Sequence, residues 1–416
     1  ADRRLTSASA AATGLAFRVG LELVRRLHGA TGADRTVSIG IPAVAAALFA
    51  VHPIHTEAVA WLAGITDLSY STFALLAFLF YLRAEDGWRP GAVLGAVAFL
   101  LGALSKEPAL ALPLLLGVYE LARGRRAHPA PGRQVVLRLA PFVLAAALYL
   151  GLRLWALGGF APSTRAYETD GATAVLTAAS LLVRYIAKLI WPFPMNALYV
   201  FEPVASLTST AGIVGMLGVT ALVLASWWAW RRPLFLVGAA FLILPLLPVL
   251  YVPALGEGVF AERYLYLPVF GFSLAAAAAI VPVCRPGGAR RVAVVAGLAA
   301  GVVVLAAATV QRNPVWRDSV SLWSDTAEKS PGSAAAHEYL CWALYTAERQ
   351  ADALPACRRA LELDPGRVAA RMNMAHALAV AGRLDEAIQQ YGAVLGQRPD
   401  DAEALTGLGL VYMAKG

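Results

Sequence analysis

Charged residues are scarce in this chain. They make up 15% of its 416 residues, whereas 59% are hydrophobic and the mean hydropathy is +0.61. A soluble globular chain is about half apolar and about a quarter charged. The apolar residues form long runs, and several exceed the roughly 18 to 20 residues that a helix needs to cross a bilayer. The composition therefore excludes an ordinary soluble enzyme and predicts a multi-pass membrane protein.

Lysine is also scarce. Lys106, Lys188, Lys329 and Lys415 are the only lysines, so arginine carries the formal net charge of +8. The arginines form short clusters between apolar runs, which argues against nucleic-acid binding and is typical of topology signals. The arginine-rich composition favours a bacterial origin.

The chain has three cysteines, and none has zinc-site spacing. Cys284 ends an apolar segment, while Cys341 and Cys357 lie on successive helices of the C-terminal part. These two cysteines could form a disulfide in an oxidising compartment, but buried free thiols are the favoured interpretation. No P-loop or dinucleotide fingerprint is present.

Ten apolar segments predict transmembrane spans. A further segment, 174–193, carries Arg184 and Lys188 and ends in Trp191, so it is interpreted as an interfacial helix. The predicted spans are 7–24, 36–51, 67–82, 91–104, 108–122, 135–157, 209–230, 234–252, 264–283 and 292–310.

Arginine positions predict the orientation of these spans. The clusters follow every second span, and the positive-inside rule places them in the cytoplasm. The remaining connections, and everything after Arg312, then fall on the exoplasmic side. The clusters are Arg25/Arg26/Arg35, Arg83/Arg89, Arg123/Arg125/Arg126/Arg133, Arg231/Arg232 and Arg285/Arg290/Arg291. The exoplasmic loops are 52–66, 105–107, 158–208 and 253–263.

The pattern changes after Arg312 to amphipathic helices with a fixed period. Pro331, Pro365 and Pro399 recur every 34 residues, which is the tetratricopeptide-repeat period. Such arrays bind a peptide or protein on their concave face. The fold is therefore predicted to be all-α, with a transmembrane domain over 1–311 and a repeat domain over 312–416. The repeat domain divides into a half repeat 318–331, repeats 334–367 and 368–401, and a partial repeat 402–416.

Ionisable residues collect at the predicted exoplasmic ends of the spans. They are costly there unless they are paired or face an aqueous cavity, which makes them candidate site residues. The predicted cytoplasmic loops have basic clusters but no comparable mixture of acid, base and imidazole. The exoplasmic candidates are His52, His55, Glu57, Asp67, Lys106, Glu107, Glu257, Glu262 and Arg263.

The two histidines have a structural alternative. With Glu57 they could bind a metal, but the spacing is not that of the HExxH zinc peptidases. Hydrogen-bonded structural histidines, or histidines that contact substrate, are favoured, and no metal site is predicted.

The other candidates also leave alternatives open. Lys106 with Glu107, and Glu262 with Arg263, could each form a neutralising pair, or the cation could bind phosphate. Arg263 is the better anion ligand, because its planar fork matches phosphate oxygens. Tyr264 and its neighbour Tyr266 are interpreted as an interfacial aromatic belt rather than as catalysts.

Four sequence segments resemble hallmarks of the transmembrane and tetratricopeptide-repeat containing (TMTC) proteins and their bacterial relatives. They are HPIHTEAVAW at 52–61 followed by Gly64 and Asp67, LSKE at 104–107, AERYLYLP at 261–268, and the passage 313–331 that begins NPVWRD. The resemblance covers nearly the whole chain. It implies a GT-C-type membrane glycosyltransferase.

The resemblance also implies the substrates. Eukaryotic members are protein O-mannosyltransferases that use dolichyl-phosphate mannose in the endoplasmic reticulum lumen. A bacterial relative would use a polyprenyl-phosphate sugar in the periplasm, with its repeats binding a polypeptide acceptor or partner. No cofactor beyond the lipid-linked donor, no divalent metal and no nucleic acid is expected.

One feature departs from the GT-C pattern. These enzymes keep an acidic catalytic motif in the first exoplasmic loop, but no span precedes 7–24 here. The catalytic base is therefore expected upstream of Ala1 and is not assigned. Lys106 or Arg263 would stabilise the leaving phosphate. By position, the cavity would be lined by His52, His55, Glu57, Asp67, Glu107, Glu262 and Tyr264.

Two other function classes remain open. The first is a non-enzymatic, membrane-anchored repeat scaffold for periplasmic or lumenal protein assembly. The second is a transporter, which is less favoured because the charges cluster on one face and not at the membrane midplane.

Overall fold

The computed structural model describes residues 3–29, 35–86, 90–125, 131–159, 170–251, 258–284 and 289–416. Within these ranges all regular structure is helical, which confirms the all-α prediction. The chain forms two compact units. Ala1–Met195 and Glu202–Asn313 make up the first, and Asn196–Phe201 and Pro314–Gly416 make up the second.

The first unit contains twelve of the described α-helices. They are α1 Arg3–Val24, α2 Arg35–Val51, α3 His55–Ala60, α4 Ile65–Glu85, α5 Pro90–Ser105, α6 Leu112–Gly124, α7 Gly132–Leu157, α8 Gly171–Ile190, α9 Thr210–Ala229, α10 Pro233–Ile243, α11 Tyr266–Ile280 and α12 Ala289–Arg312. Short 3₁₀ turns at Leu62–Gly64, Glu107–Ala111, Leu244–Leu250 and Glu262–Leu265 adjoin α4, α6, α10 and α11.

Seven helical stretches among the described residues are long and apolar enough to cross a membrane. They are Leu62–Glu85, Gly132–Leu157, Gly171–Ile190, Thr210–Ala229, Pro233–Leu250, Glu262–Val283 and Ala289–Trp316. Two shorter apolar helices, Val37–Val51 and Pro90–Ser105, coincide with predicted spans. The chain is a multi-pass membrane protein.

Two predicted spans are shorter or less apolar than expected. Segment 7–24 is helical within α1, but it is not among the seven long apolar stretches. Segment 108–122 divides into a 3₁₀ turn and the 13-residue α6, with Pro108 and Pro113 each near the start of its element. Proline is favoured in the first turn of a helix because it lacks a backbone donor, which agrees with a new element starting near each of these prolines.

Helix α8 covers the segment predicted to lie in the interface. Its 20 residues are long and apolar enough to cross, so the interfacial placement stays a prediction. The spans that contain α4 and α11 are the most buried in the unit, while α7, α9 and α12 are largely exposed. Asp67 lies in the first turn of α4, and Arg263 lies in the 3₁₀ turn before α11. The candidate site thus begins at the ends of the two central spans.

The second unit is the repeat array. Its helices are α13 Ser319–Lys329, α14 Ala334–Thr346, α15 Gln350–Leu363, α16 Val368–Val380, α17 Leu384–Gln397 and α18 Ala402–Lys415. The Asp318 carboxylate accepts a hydrogen bond from the Ser321 N–H at 2.8 Å, and Asp401 accepts one from Ala404 at 3.0 Å. These side chains satisfy backbone donors that a helix start leaves without partners.

A loop segment also belongs to this unit. Asn196 is buried, and its side-chain amide donates to Ser330 Oγ at 2.7 Å. The Ser330 hydroxyl in turn donates to the Leu198 carbonyl at 2.8 Å. The sequence predicts that all of loop 158–208 belongs to the transmembrane domain, and nothing in the composition of this loop indicates that 196–201 packs with the repeats.

Cys341 and Cys357 form a disulfide, so the favoured interpretation as free thiols is wrong. Both side chains are fully buried, and their Cα atoms are 5.0 Å apart, within the range that a disulfide spans. One repeat later, 34 positions along, Ala375 and Tyr391 take their places in the core. The two cysteines therefore replace a small and an aromatic residue that nest against each other.

Candidate active site

The segment after α2 forms a compact turn that begins the site. The Thr56 hydroxyl donates to the Pro53 carbonyl at 2.8 Å, and the Gly64 N–H donates to Trp61 at 2.9 Å. Gly64 is buried, and a Cβ on it would lie 2.7 Å from the Ala58 Cα. Only glycine allows the chain to approach itself this closely before α4 starts. The turn places Glu57 and Asp67 near one another.

Glu57 holds the Arg263 turn. Its Oε1 pairs with Arg263 Nη1, and its Oε2 accepts a hydrogen bond from the Arg263 backbone N–H at 2.9 Å. The carboxylate is fully buried, and the two residues are 206 positions apart in the chain. A charged acceptor that binds both the guanidinium and the backbone of one residue fixes the position of that residue.

Asp67 joins the two candidate phosphate ligands. Lys106 Nζ lies 2.5 Å from Asp67 Oδ2, and Arg263 Nε lies 3.9 Å from the same oxygen. Both cations also lie over the Tyr264 ring, with Lys106 Nζ 4.6 Å and Arg263 Cζ 4.9 Å from its centroid. The indole of Trp61 lies 5.2 Å from Arg263 Cζ. Residues from three separate sequence motifs thus meet at one point.

The acidic and basic side chains of the cluster differ in their exposure to solvent. The side chains of Glu57 and Asp67 are 0% exposed, whereas those of Lys106 and Arg263 are 17% and 19% exposed. The buried carboxylates offset the charge of the cations, and the basic side chains are the solvent-accessible members of these pairs. Such a surface favours an anionic ligand, because an approaching anion meets the cations first.

Two further basic residues form ion pairs with the remaining acidic candidates, Glu262 and Glu107. Neither basic residue was a candidate from sequence. Lys188 Nζ lies 3.9 Å from the buried Glu262 carboxylate, and Arg153 Nη1 lies 2.7 Å from Glu107. The neutralising pairs considered between sequence neighbours, Lys106–Glu107 and Glu262–Arg263, are therefore wrong. Adjacent residues in a helical turn point in different directions, and each finds a partner on another element.

Both histidines have structural contacts. His52 lies between α2 and α3, and its Nε2 is 3.1 Å from the Leu189 carbonyl. Burial lowers the pKa of His52 to about 4, so the ring is neutral at physiological pH. The His55 ring packs against the Tyr266 ring with a centroid distance of 4.2 Å. No group of three or more His, Cys, Asp or Glu residues in the described parts of the chain could hold a metal.

The two tyrosines have different environments. Tyr264 belongs to the cation cluster. Tyr266 is fully buried and its hydroxyl is 3.0 Å from Ser9 Oγ, so the interfacial-belt interpretation is wrong for it. Glu257 and residues 160–169 of loop 158–208 lie outside the described residues.

A second charged cluster lies at the other end of α4. Arg26 Nη1 is 2.8 Å from Glu85 Oε2, and Arg138 lies 3.1 Å from both Glu85 Oε1 and Glu120 Oε1. Acidic and basic residues therefore also meet at this end of α4, on helix residues outside the predicted loops. Sequence reasoning missed this cluster because its carboxylates lie on helix ends and not in the loops. It ties α1, α4, α6 and α7 together away from the candidate site.

Comparison with known proteins identifies the relatives of this chain. Residues 315–368 and 344–411 each match a tetratricopeptide-repeat family model. The chain is 24% identical to protein O-mannosyl-transferase TMTC3 of Mus musculus over 394 residues, covering 84% of this chain and 42% of that protein. It is also 24% identical to TMTC1 of Mus musculus, covering 82% of this chain and 48% of that protein. The chain is a TMTC-like protein.

The family resemblance expected from the sequence motifs is thereby confirmed. Protein O-mannosyl-transferase Tmtc2 of Drosophila melanogaster is 41% identical over 100 residues, covering 22% of this chain and 11% of that protein. The chain spans less than half the length of the TMTC3 and TMTC1 proteins.

Proposed function

We propose that this TMTC-like chain belongs to a membrane glycosyltransferase of the GT-C type. It transfers a mannose-like sugar from a polyprenyl-phosphate donor to a hydroxyl group of a protein or other exoplasmic acceptor. The names of the relatives support the reaction class. The arginine clusters support an exoplasmic placement of the repeats, and the arginine-rich composition supports a bacterial inner membrane with the repeats in the periplasm.

The observation that carries this proposal is the convergence of Lys106 and Arg263 on Asp67. Two partly exposed cations backed by buried carboxylates suit the phosphate of a lipid-linked sugar. During transfer, negative charge develops on the phosphate oxygen that leaves the sugar. Pre-positioned cations stabilise this charge without reorganising, which lowers the barrier.

The acceptor hydroxyl must lose a proton as it attacks the anomeric carbon. The bond from that carbon to the phosphate oxygen breaks, and the configuration of the sugar is inverted. Glu57 and Asp67 are buried and engaged with cations, so neither is assigned as the base.

A transfer assay on the full-length protein tests the proposal. The substrates are polyprenyl-phosphate mannose with a labelled sugar and a mixture of Ser- and Thr-rich peptides. We expect label in the peptides, and a rate about tenfold to a hundredfold lower for Arg263→Lys and Lys106→Gln. A charge-assisted hydrogen bond to phosphate contributes about 1.5 to 3 kcal/mol, which corresponds to that range.

The matched control is Arg26→Lys. Arg26 is also a part-buried, ion-paired arginine, but it belongs to the cluster at the far end of α4. The control should transfer sugar at the wild-type rate. If all three variants match wild type, the phosphate roles are wrong. If wild type transfers no sugar, the membrane-anchored repeat scaffold becomes the better hypothesis.

A further inference from the structure

The repeat unit has an open pocket on one face. It has a volume of about 690 Å³ and is lined mainly by α16 and α18. That volume is typical of a site for a small molecule or a few side chains. Residues that line it include Tyr345, His376, Val380, Tyr391, Glu403 and Leu410.

The pocket opens beside the hydrophobic core of the repeat unit, and Tyr391 and Val411 belong to both. Ala375 and Leu378 of α16 are buried in the hydrophobic core of the unit. Their counterparts 34 positions later are Gly409 and Tyr412, and neither lines the pocket. Among the α18 residues that line it, Leu410 corresponds to His376 of α16, which lines it as well. Repeat arrays bind ligands on an open concave surface, and we take the open side of this pocket as part of that surface.

Aromatic rings form the floor and one wall. A Cβ on Gly407 would lie 2.5 Å from the Tyr391 ring, so glycine at this position lets the ring pack directly against α18. The His376 ring is 5.6 Å from the Tyr391 ring and 5.7 Å from the Tyr345 ring, measured between centroids. These rings offer aromatic faces at the base of the pocket.

The rim is largely apolar, and within the described part of the chain its one charged side chain is Glu403. Val380 and Leu410 are 59% and 57% exposed, and the Glu403 side chain is 69% exposed. None of the described residues that line the pocket is Lys or Arg. Residues 314–416 contain ten Lys and Arg against thirteen Asp and Glu, although the whole chain is basic. The pocket and its surroundings thus disfavour acidic ligands.

The His376 side chain does not neutralise the negative charge of Glu403. Its Nε2 lies 3.8 Å from Glu403 Oε1, but burial lowers the pKa of His376 below its usual value. The imidazole is therefore largely neutral at pH 7 and does not neutralise the carboxylate.

We propose that this pocket binds an extended polypeptide segment that carries a large apolar side chain close to a Lys or Arg. The apolar side chain enters between Val380 and Leu410 above the Tyr391 ring, and the basic residue pairs with Glu403. This specificity deepens the proposed function, and it rests on that function only where the bound segment is taken to be the sugar acceptor.

Peptide binding to the full chain in detergent tests the specificity directly. The probes are three fluorescein-labelled Gly/Ser decapeptides whose central residues are Phe-Ser-Arg, Phe-Ser-Glu or Gly-Ser-Arg. We expect the Phe-Ser-Arg peptide to bind about fivefold more tightly than Phe-Ser-Glu, as a partly exposed ion pair allows. It should bind at least about tenfold more tightly than Gly-Ser-Arg, because the latter buries no ring.

Variants assign each contact. Glu403→Gln should remove the preference for Arg over Glu, whereas Glu362→Gln, at a 56% exposed carboxylate on α15, should keep it. Leu410→Gln should weaken both Phe peptides. Leu405→Gln is the matched control, since Leu405 is 50% exposed on the same helix but does not line the pocket.

Either of two results would overturn the inference. One is equal binding of the Arg and Glu peptides by wild type, and the other is no binding of any peptide at millimolar concentration. The assay contains no sugar donor, so it is independent of catalysis. Peptide binding without sugar transfer would leave the pocket assignment standing and reject the glycosyltransferase. Sugar transfer without selective peptide binding would support the glycosyltransferase and reject the pocket assignment.

Discussion

Asp67 links the two cations of the candidate site at the scale of single residues. Its carboxylate is fully buried at the start of a central span, and Oδ2 lies within reach of Lys106 and Arg263. The second oxygen, Oδ1, has no hydrogen-bond partner in the described structure. A buried carboxylate in this position depends on its cations, because the low-polarity surroundings penalise an isolated charge.

This dependence predicts a non-additive pair of substitutions. Lys106→Met should lower the free energy of unfolding by about 3 to 5 kcal/mol, because it leaves the Asp67 charge buried without its nearest cation. The double variant Lys106→Met/Asp67→Asn should recover most of that loss, since it removes both charges. Thermal unfolding of the purified protein in detergent measures both effects. Equal losses in the single and double variants would show that Asp67 does not depend on Lys106.

At the scale of elements, the first repeat is held by a covalent bond and not only by packing. The disulfide joins α14 to α15 and closes a loop with a sequence separation of 16. In the chain-entropy description, a loop of this length stabilises the folded state by about 3 kcal/mol. Disulfides persist in oxidising compartments, so the bond agrees with the exoplasmic placement of the repeats that the arginine clusters predict.

Thiol counting checks the disulfide. The chain contains three cysteines, and two of them are bonded, so unfolded protein should react with one maleimide per chain before reduction and with three after it. The single reactive thiol should be Cys284, and Cys284→Ala should abolish labelling before reduction. Three reactive thiols in protein purified under non-reducing conditions would contradict the disulfide.

Function at the scale of the whole molecule depends on which side of the membrane the candidate site faces. The arginine clusters predict that the connection after α8 is exoplasmic and that the end of α6 is cytoplasmic. A polyprenyl-phosphate donor used in the periplasm requires the candidate site to lie on the exoplasmic side. The opposite orientation would remove the basis for this donor.

Cysteine labelling in intact cells tests the orientation. In a background without native cysteines, Leu207→Cys should react with a membrane-impermeant maleimide, whereas Gly124→Cys should react only after the cells are permeabilised. Both positions are exposed in the structure, so accessibility within the protein does not limit either reaction. If only Gly124→Cys were labelled in intact cells, the topology would be the opposite of the predicted one, and the proposed location would be wrong.

Much of the architecture could be predicted from sequence because its signals are local. Long apolar runs indicate spans, since each helix must satisfy its own backbone hydrogen bonds in lipid. The repeat period of 34 residues indicates the helix pairs and their boundaries. Candidate site residues could also be named individually, because His52, Glu57, Lys106 and Arg263 lie in motifs at the ends of spans.

Tertiary structure decided which of these residues are partners. The pairs Glu57–Arg263 and Asp67–Lys106 are separated by 206 and 39 positions, so no local pattern reports them, and sequence proximity suggested the wrong pairs. The same holds for the Glu85 cluster, the packing of 196–201 with the repeats and the disulfide. The sequence by itself determined where charge, apolar surface and repeats lie along the chain. Only the fold determined which charges meet, because pairing depends on how distant helices come together in space.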